Sequence, residues 1–317
     1  MNAARGFTLL EVMVAALILL LAATAGVSLV AQGRRSYREA EARARLDEAA
    51  QAALDVLAYE VRMAGYLGRL DPGSAVAGRQ PAGQPEPPSL SVRGSCGPSL
   101  ALDVGVPIGG ADGRYAVSAT TPLGCAASPD GRPVAGSDTL VLRHAATSGG
   151  AADAGRLQLE TTRRSGRLFA DGRPQLGPFA AIHDLEVGVF YVSRDSTAVR
   201  DWPSLRRKRL VGGTAAAFQD EEIQSGVADL QVEAQVTVAG ADGDSHLEFV
   251  PLDAVPDNRD IRALRLWVLV EGQPGDTPGA WLSPLDYANR HLPAVFARYP
   301  RLLASRTVQP RNAGPTP

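Results

Sequence analysis

The chain has 317 residues, of which 45% are hydrophobic and 21% charged, and its formal net charge is −2. That length is ample for one large or two small domains with a real core, in an ordinary globular composition. The charge balance gives no overall basic footprint for nucleic acid; with Lys208 the only lysine, the arginine excess reads as coding bias and not as a phosphate-binding device.

The first predicted element is a long helix. Twenty consecutive residues from Val12 to Ala31 carry no charge, and as a helix they span roughly 30 Å, the thickness of a bilayer core. Three readings compete for this segment. A cleaved secretory signal would use Arg5 as its basic end and Ala23-Thr24-Ala25 as its cleavage site. Glu11 stands against it, because a carboxylate inside an apolar segment costs about 2.5–3.5 kcal/mol and a disposable peptide gains nothing from that cost. In a plain membrane anchor Glu11 sits nearer the interface. However, Arg34, Arg35 and Arg38 follow the run while only Arg5 precedes it, and the positive-inside rule alone would keep the downstream side in the cytoplasm. The third reading is a processed N-terminal helix, taken up below.

Beyond the apolar run, Leu46, Ala50, Ala53 or Leu54, Leu57, Val61 and Ala64 recur at helical steps. Arg43, Arg45, Asp47, Glu48, Gln51, Asp55 and Arg62 occupy the other faces. No proline interrupts before Leu70. One helix from about Thr8 to Ala64, about 85 Å long, is therefore expected, stopped by Gly65, Gly68 and Asp71-Pro72-Gly73. Its amphipathic second half predicts packing against a sheet of the same chain.

With 33 glycines and 23 prolines, the remainder is expected to be rich in turns and short strands. Residues 69–98 read as a linker loop. Strands are predicted over Ser99–Val106, Asp138–Arg143, Leu157–Thr161, Arg167–Phe169, Leu185–Val192, Leu230–Val238 and Ile261–Val270, with Arg164-Ser165-Gly166 closing a hairpin. Leu230–Val238 alternates with Gln231, Glu233, Gln235 and Thr237, which predicts one wet face. The fold class is α+β: a long helix followed by an antiparallel β domain. The two cysteines, Cys96 and Cys125, fit no metal motif; in an exported domain they form a disulfide, and otherwise they are unpaired thiols in loops.

The segment Gly6-Phe7-Thr8-Leu9-Leu10-Glu11, after a short leader with one positive charge and before a long apolar run, resembles the signal of type IV prepilins and type II secretion pseudopilins. The resemblance implies a pilin-like fold whose helix packs on an antiparallel sheet. It implies cleavage between Gly6 and Phe7 and N-methylation of Phe7. Glu11 then neutralises the new N-terminal amine of a neighbouring subunit, since each charge is far less costly in lipid when paired. Residues 1–6 become the leader, 7–31 the membrane and filament-core half, 32–68 the amphipathic half, and 99–317 a periplasmic β-rich domain. Proteins of that family with such leaders export the C-terminal domain despite the arginines that follow.

More narrowly, Glu60–Gly68 (EVRMAGYLG), Ser137–His144, Leu185–Ser193, Gly226–Val236, Arg262–Val270 and the Arg311-Asn312 ending are similar to PilW-type minor pilins. Arg69 stands where that family often has cysteine, so the pairing of Cys96 with Cys125 remains a local reading. The resemblance implies a minor pilin that primes type IV pilus assembly and serves twitching motility, adhesion or DNA uptake. The rival within the class is a pseudopilin of the J type; outside it, a membrane-anchored periplasmic binding protein. Implied partners are other minor pilins and the major pilin, met through the helix, with the prepilin peptidase and the inner-membrane assembly platform. The implied location is the inner membrane with a periplasmic domain, then the pilus.

No catalytic residue, cofactor or metal site is expected. His144, His183, His246 and His291 are scattered without ligand spacing. Asp242-Gly243-Asp244 with Asp253, Asp257 and Asp260 lacks a calcium-loop pattern and reads as a solvated turn. Arg206-Arg207-Lys208-Arg209 reads as a solvated loop before a strand at Leu210-Val211.

Overall fold

The computed structural model describes residues 8–80, 90, 92, 96, 98–116, 132–239, 244–255, 261–273, 280–282, 284–293, 295–297 and 299–312. Helix α1 (Leu9–Met63) is one continuous helix of 55 residues. Alanine and leucine dominate it and no proline breaks the hydrogen-bond ladder. It ends where Ala64 leaves helical geometry, at φ −49° and ψ 131°, and Gly65 and Gly68 follow at φ 78° and 69°, a left-handed conformation that side chains disfavour. Residues 8–41 are exposed throughout, and Ala42 is the first buried position.

The β domain is built on two main sheets. The first holds β1 (Val76–Ala77), β2 (Ile108–Ala111), β3 (Thr139–Gly149), β4 (Ala154–Thr161), β5 (Gly166–Asp171), β6 (Ala181–Ser193), β7 (Ser204–Val211) and β8 (Ala217–Ser225). Its order is β1-β5-β4-β6-β3-β2, with β7 also on β6 and β8 on β7. The 13-residue β6 is long enough to pair with β4 at Ala181–Asp184 and with β7 at Gly188–Ser193. The second sheet holds β9 (Val227–Ala239), β10 (Ser245–Pro251), β11 (Ala263–Glu271) and β16 (Arg301–Val308), in the order β10-β9-β11-β16. Between β11 and β16 lie two small antiparallel pairs: β12 (Ala280–Leu282) with β15 (Val295–Ala297), and β13 (Leu285–Tyr287) with β14 (Arg290–Leu292). Among the described strands only the two-residue contact of β1 with β5 is parallel.

The core sits where α1 meets both sheets. Leu46, Ala50, Leu54, Leu57 and Val61 cluster with Ile108, Leu142 and Phe190 of the first sheet and with Leu230, Val232, Leu266 and Val268 of the second. The predicted stripe is the buried one, extended by Ala42 and Ala58. A second cluster, formed by Leu157, Leu159, Leu168 and Leu185 with Ala101 and Leu102, is covered by the short helix α2 (Pro98–Leu102).

Three expectations are corrected. The run Ser99–Val106 is not a strand: its first part is α2, because Pro98 presets helical φ at the first position and Leu and Ala carry no branch at Cβ. Gln231 on the expected wet face of β9 is completely buried, as is Asp229 two residues earlier. The hairpin β13–β14 supplies their cover: Tyr287 donates its hydroxyl to Asp229, and Arg290 lies 3.4 Å from the same carboxylate. Farther along the same face Glu233 and Gln235 are half-buried and Thr237 is exposed, so the expected wet face holds only from Glu233 onward. The third correction concerns Arg206–Arg209, which lie within β7 with Arg206 and Lys208 buried. Across the hairpin Arg206 opposes Glu222, Arg207 opposes Glu221 and Lys208 opposes Asp220, and ion pairs at 2.7 Å (Arg206–Asp220) and 3.3 Å (Lys208–Asp220) neutralise the run.

Candidate assembly helix and its anchorage

Gly6 and Phe7 lie outside the described residues. Thr8 is the N-cap of α1, and its hydroxyl accepts the Glu11 N–H at 3.3 Å. Thr8 and Glu11 stand in the S/T-x-x-E order of a capping box, and the acidic side chain sits in the first turn, where the helix dipole favours negative charge. Glu11 thus has a local structural role that charge pairing alone did not reveal. The residue is exposed, so folding leaves its carboxylate available to a partner.

The apolar half of α1 offers its whole circumference. Leu9, Leu19 and Leu29 are 82%, 69% and 71% exposed, far beyond what a monomer in water sustains as a contiguous patch. Its few polar groups are internally satisfied. Thr24 and Ser28 donate their hydroxyls to the carbonyls of Leu21 at 2.9 Å and Ala25 at 2.8 Å. Such a helix fits hydrocarbon or a bundle of like helices.

The second half is tied to the domain by directional contacts as well as by its buried stripe. Glu60 accepts from Arg207 at 2.8 Å and stands 3.0 Å from Nε2 of His144 on β3. Burial opposes the charged form of His144, but its bonds to Glu60 and to the Ala145 carbonyl outweigh it and raise its pKa. Arg306 of β16 reaches Gln51 at 2.8 Å and also Asp55, and the Arg311 N–H donates to the Arg62 carbonyl at 3.2 Å. The turn after the helix docks on β3: the Gly65 N–H donates to Arg143 and the Ala145 N–H to Tyr66, at 3.0 and 2.6 Å. At Gly68 a Cβ would come within 2.7 Å of the His183 ring. The Ala64-Gly65-Tyr66-Leu67-Gly68 segment is therefore a chain reversal that needs glycine for φ at Gly65 and for φ and space at Gly68.

The remaining candidates fall apart as sites. His144 serves the helix anchor, His183 donates from Nδ1 to the Ala146 carbonyl 2.9 Å away, and His291 pairs with Asp286 at 2.6 Å on an exposed hairpin. His246 lies on the edge strand β10, 3.9 Å from Glu248. Among the described residues no group of three or more His, Cys, Asp or Glu could hold a metal ion. Of the aspartates, Asp253 pairs with Arg114 at 3.2 Å, while Asp242, Asp257 and Asp260 lie outside the described residues, as does Cys125. Cys96 is buried beside Leu100, Val141 and Val189.

Sequence reasoning missed one polar cluster. Asp138 accepts from the Gly113 N–H at 2.7 Å and from the Val232 N–H at 2.8 Å, and so joins the β2–β3 connection to β9. Burial pushes its pKa up to about 7 against these two bonds, and the Asp112 and Asp229 carboxylates add to the rise. The cluster is a seam between the two main sheets.

Comparison with known proteins adds one specific match: residues 1–27 fit the prokaryotic N-terminal methylation motif. No curated protein matches the chain. A type IV-like pilin from Thermus thermophilus superposes at a TM-score of 0.35 with 15% identity, over 85% of this chain and 99% of that one. A superposition so loose carries no weight. The chain thus carries a prepilin-type methylation motif at the head of a bilayer-length apolar helix, and that helix is fastened to an antiparallel β domain.

Proposed function

We propose that this chain is a filament subunit, a PilW-type minor pilin made as a prepilin. It is cut after Gly6, methylated on Phe7, held in the inner membrane with its β domain in the periplasm, and built at low copy into a type IV pilus. Its work is structural and not enzymatic: it primes assembly with other minor pilins and meets them and the major pilin through α1. The observation that carries this reading is the methylation motif over residues 1–27, placed on a helix whose apolar half is exposed on every side. The motif speaks for the filament-subunit class; the choice of minor pilin over pseudopilin rests on the weaker likeness of the downstream segments.

The decisive experiment is N-terminal sequencing of the mature protein with a matched Gly6→Ala variant. Methyl-phenylalanine as first residue in the wild type and an uncut leader in the variant are expected; processing that continues in Gly6→Ala sinks the reading. The same sample tests the proposed Cys96–Cys125 disulfide. Peptide mapping without reductant should recover the two cysteines in one linked species, and two alkylated thiols would remove the claim.

A further inference from the structure

We infer that Arg34 and Arg38, flanked by Tyr37, form a docking surface for the phosphate groups of anionic phospholipids. They lie three and seven residues beyond Ala31, the last residue before polar Gln32, or about 4.5 and 10 Å along the helix axis. The headgroup layer is roughly 5–7 Å deep on each side of the hydrocarbon. Side chains on a helix lean toward its N-terminus, which here means back toward the membrane, so both guanidinium groups reach that layer.

Three further observations select lipid as the occupant. First, the stretch 34–39 holds three arginines against one glutamate, giving a local charge of +2 in a chain of net −2. Arg35 is the one committed within the chain, paired with Glu39 at 3.1 Å; the exposed Arg34 and Arg38 make no ion pair among the described residues. Second, at 100° per residue Leu20, Val27, Arg34 and Arg38 fall within about 40° of one line along the helix. The arginines therefore continue a face that is apolar inside the bilayer. That line lies about 105° round from the stripe of Leu46 and Leu57 that meets the β domain, so the domain does not cover it. Third, Tyr37 is 72% exposed at the same level, the placement that amphipathic aromatic rings take at a membrane surface.

The inference rests on the membrane placement within the proposed function, but not on cleavage or on which side the domain faces. Its test uses the purified full-length chain in detergent, offered an equal mixture of phosphatidylglycerol and phosphatidylcholine, with retained lipid counted by native mass spectrometry. Phosphatidylglycerol should be retained in excess, and the excess should shrink in 0.5 M salt. The double variant Arg34→Gln/Arg38→Gln should reduce the preference on the order of 25-fold, about fivefold for each arginine. Arg43→Gln, on another face of the helix, should leave it unchanged. Equal retention of both lipids by the wild type overturns the inference, as does a preference that survives the double variant. Unchanged lipid retention with loss of the double variant from filaments would assign the arginines to a neighbouring subunit's carboxylates and also overturn it. A chain with an uncut leader that still prefers phosphatidylglycerol removes the pilin reading alone; a processed chain without the preference removes this one alone.

Discussion

His144 shows how a single side chain couples the helix to the sheet. Its Nδ1 lies 2.9 Å from the Ala145 carbonyl and its Nε2 3.0 Å from Glu60. Both neighbours are acceptors, so only the doubly protonated ring satisfies both. Its pKa is accordingly raised in the folded chain, and the stability it contributes is complete below the ordinary histidine value of about 6.5 and lost as pH rises through the folded value. Asp138, raised to about 7, acts in the same direction, with its contribution lost between about pH 4 and 7. Thermal unfolding of the whole chain should therefore occur at a lower temperature at pH 9 than at pH 6. His144→Gln should shrink that difference and cost about 1.5–3 kcal/mol at pH 6, the range for a hydrogen bond to a charged group. An undiminished difference in the variant would mean that the ring is neutral throughout.

At the scale of elements, α1 is two helices in different solvents joined without a seam. Leu57 is fully buried against both sheets, and Leu20 is 65% exposed in the apolar half. Leu57→Ala should destabilise the folded domain by about 2–5 kcal/mol, measured by denaturant titration of the detergent-solubilised chain, while Leu20→Ala should leave that value within about 0.5 kcal/mol. Equal effects would place Leu20 in a core that the structure does not contain. The helix was legible in the sequence because its signals are local: charge-free length, a three- and four-residue stripe, and glycines at the stop. So were β6 and β9, from their apolar alternation, and β3 and β11, from apolar β-type runs. What escaped was decided by partners distant in the chain. Arg206 to Lys208 became a strand because Asp220 to Glu222 lie opposite, and Asp229 became buried because Tyr287 and Arg290 close on it, with Gln231 held beside it by the Gly136 carbonyl and Asp229 itself. The complementary charges at 206–208 and 220–222 were a readable signal for a hairpin. Nothing near Asp229 pointed to its cover. Of the candidate site, the methylation motif over residues 1–27 is legible in the sequence, whereas the anchorage of α1 through Glu60, His144 and Arg207 needed the fold.

For the whole molecule the question is what Glu11 does once the chain joins others. Two physical roles coincide there. As the third helical residue after Thr8 it completes a capping sequence and complements the helix dipole; as a carboxylate near the mature N-terminus it neutralises a neighbour's amine in the proposed filament. The two roles separate under substitution, because glutamine also serves at this position of a capping box but carries no charge. Glu11→Ala removes the charge and the side chain that a capping box uses, though not the backbone N–H held by Thr8, and Glu11→Gln removes the charge with its dipole contribution and keeps the capping side chain. Neither should change unfolding of the β domain, whose first contact with α1 comes at Ala42, and both should be processed at Gly6. If charge pairing governs assembly, both variants enter filaments poorly and to the same degree, as read by quantifying the chain in sheared pili against the membrane pool. If helix capping governs it, Glu11→Gln assembles like the wild type and only Glu11→Ala is lost. The charge-pairing role requires the first pattern, and wild-type incorporation of Glu11→Gln would eliminate it while leaving the prepilin reading intact.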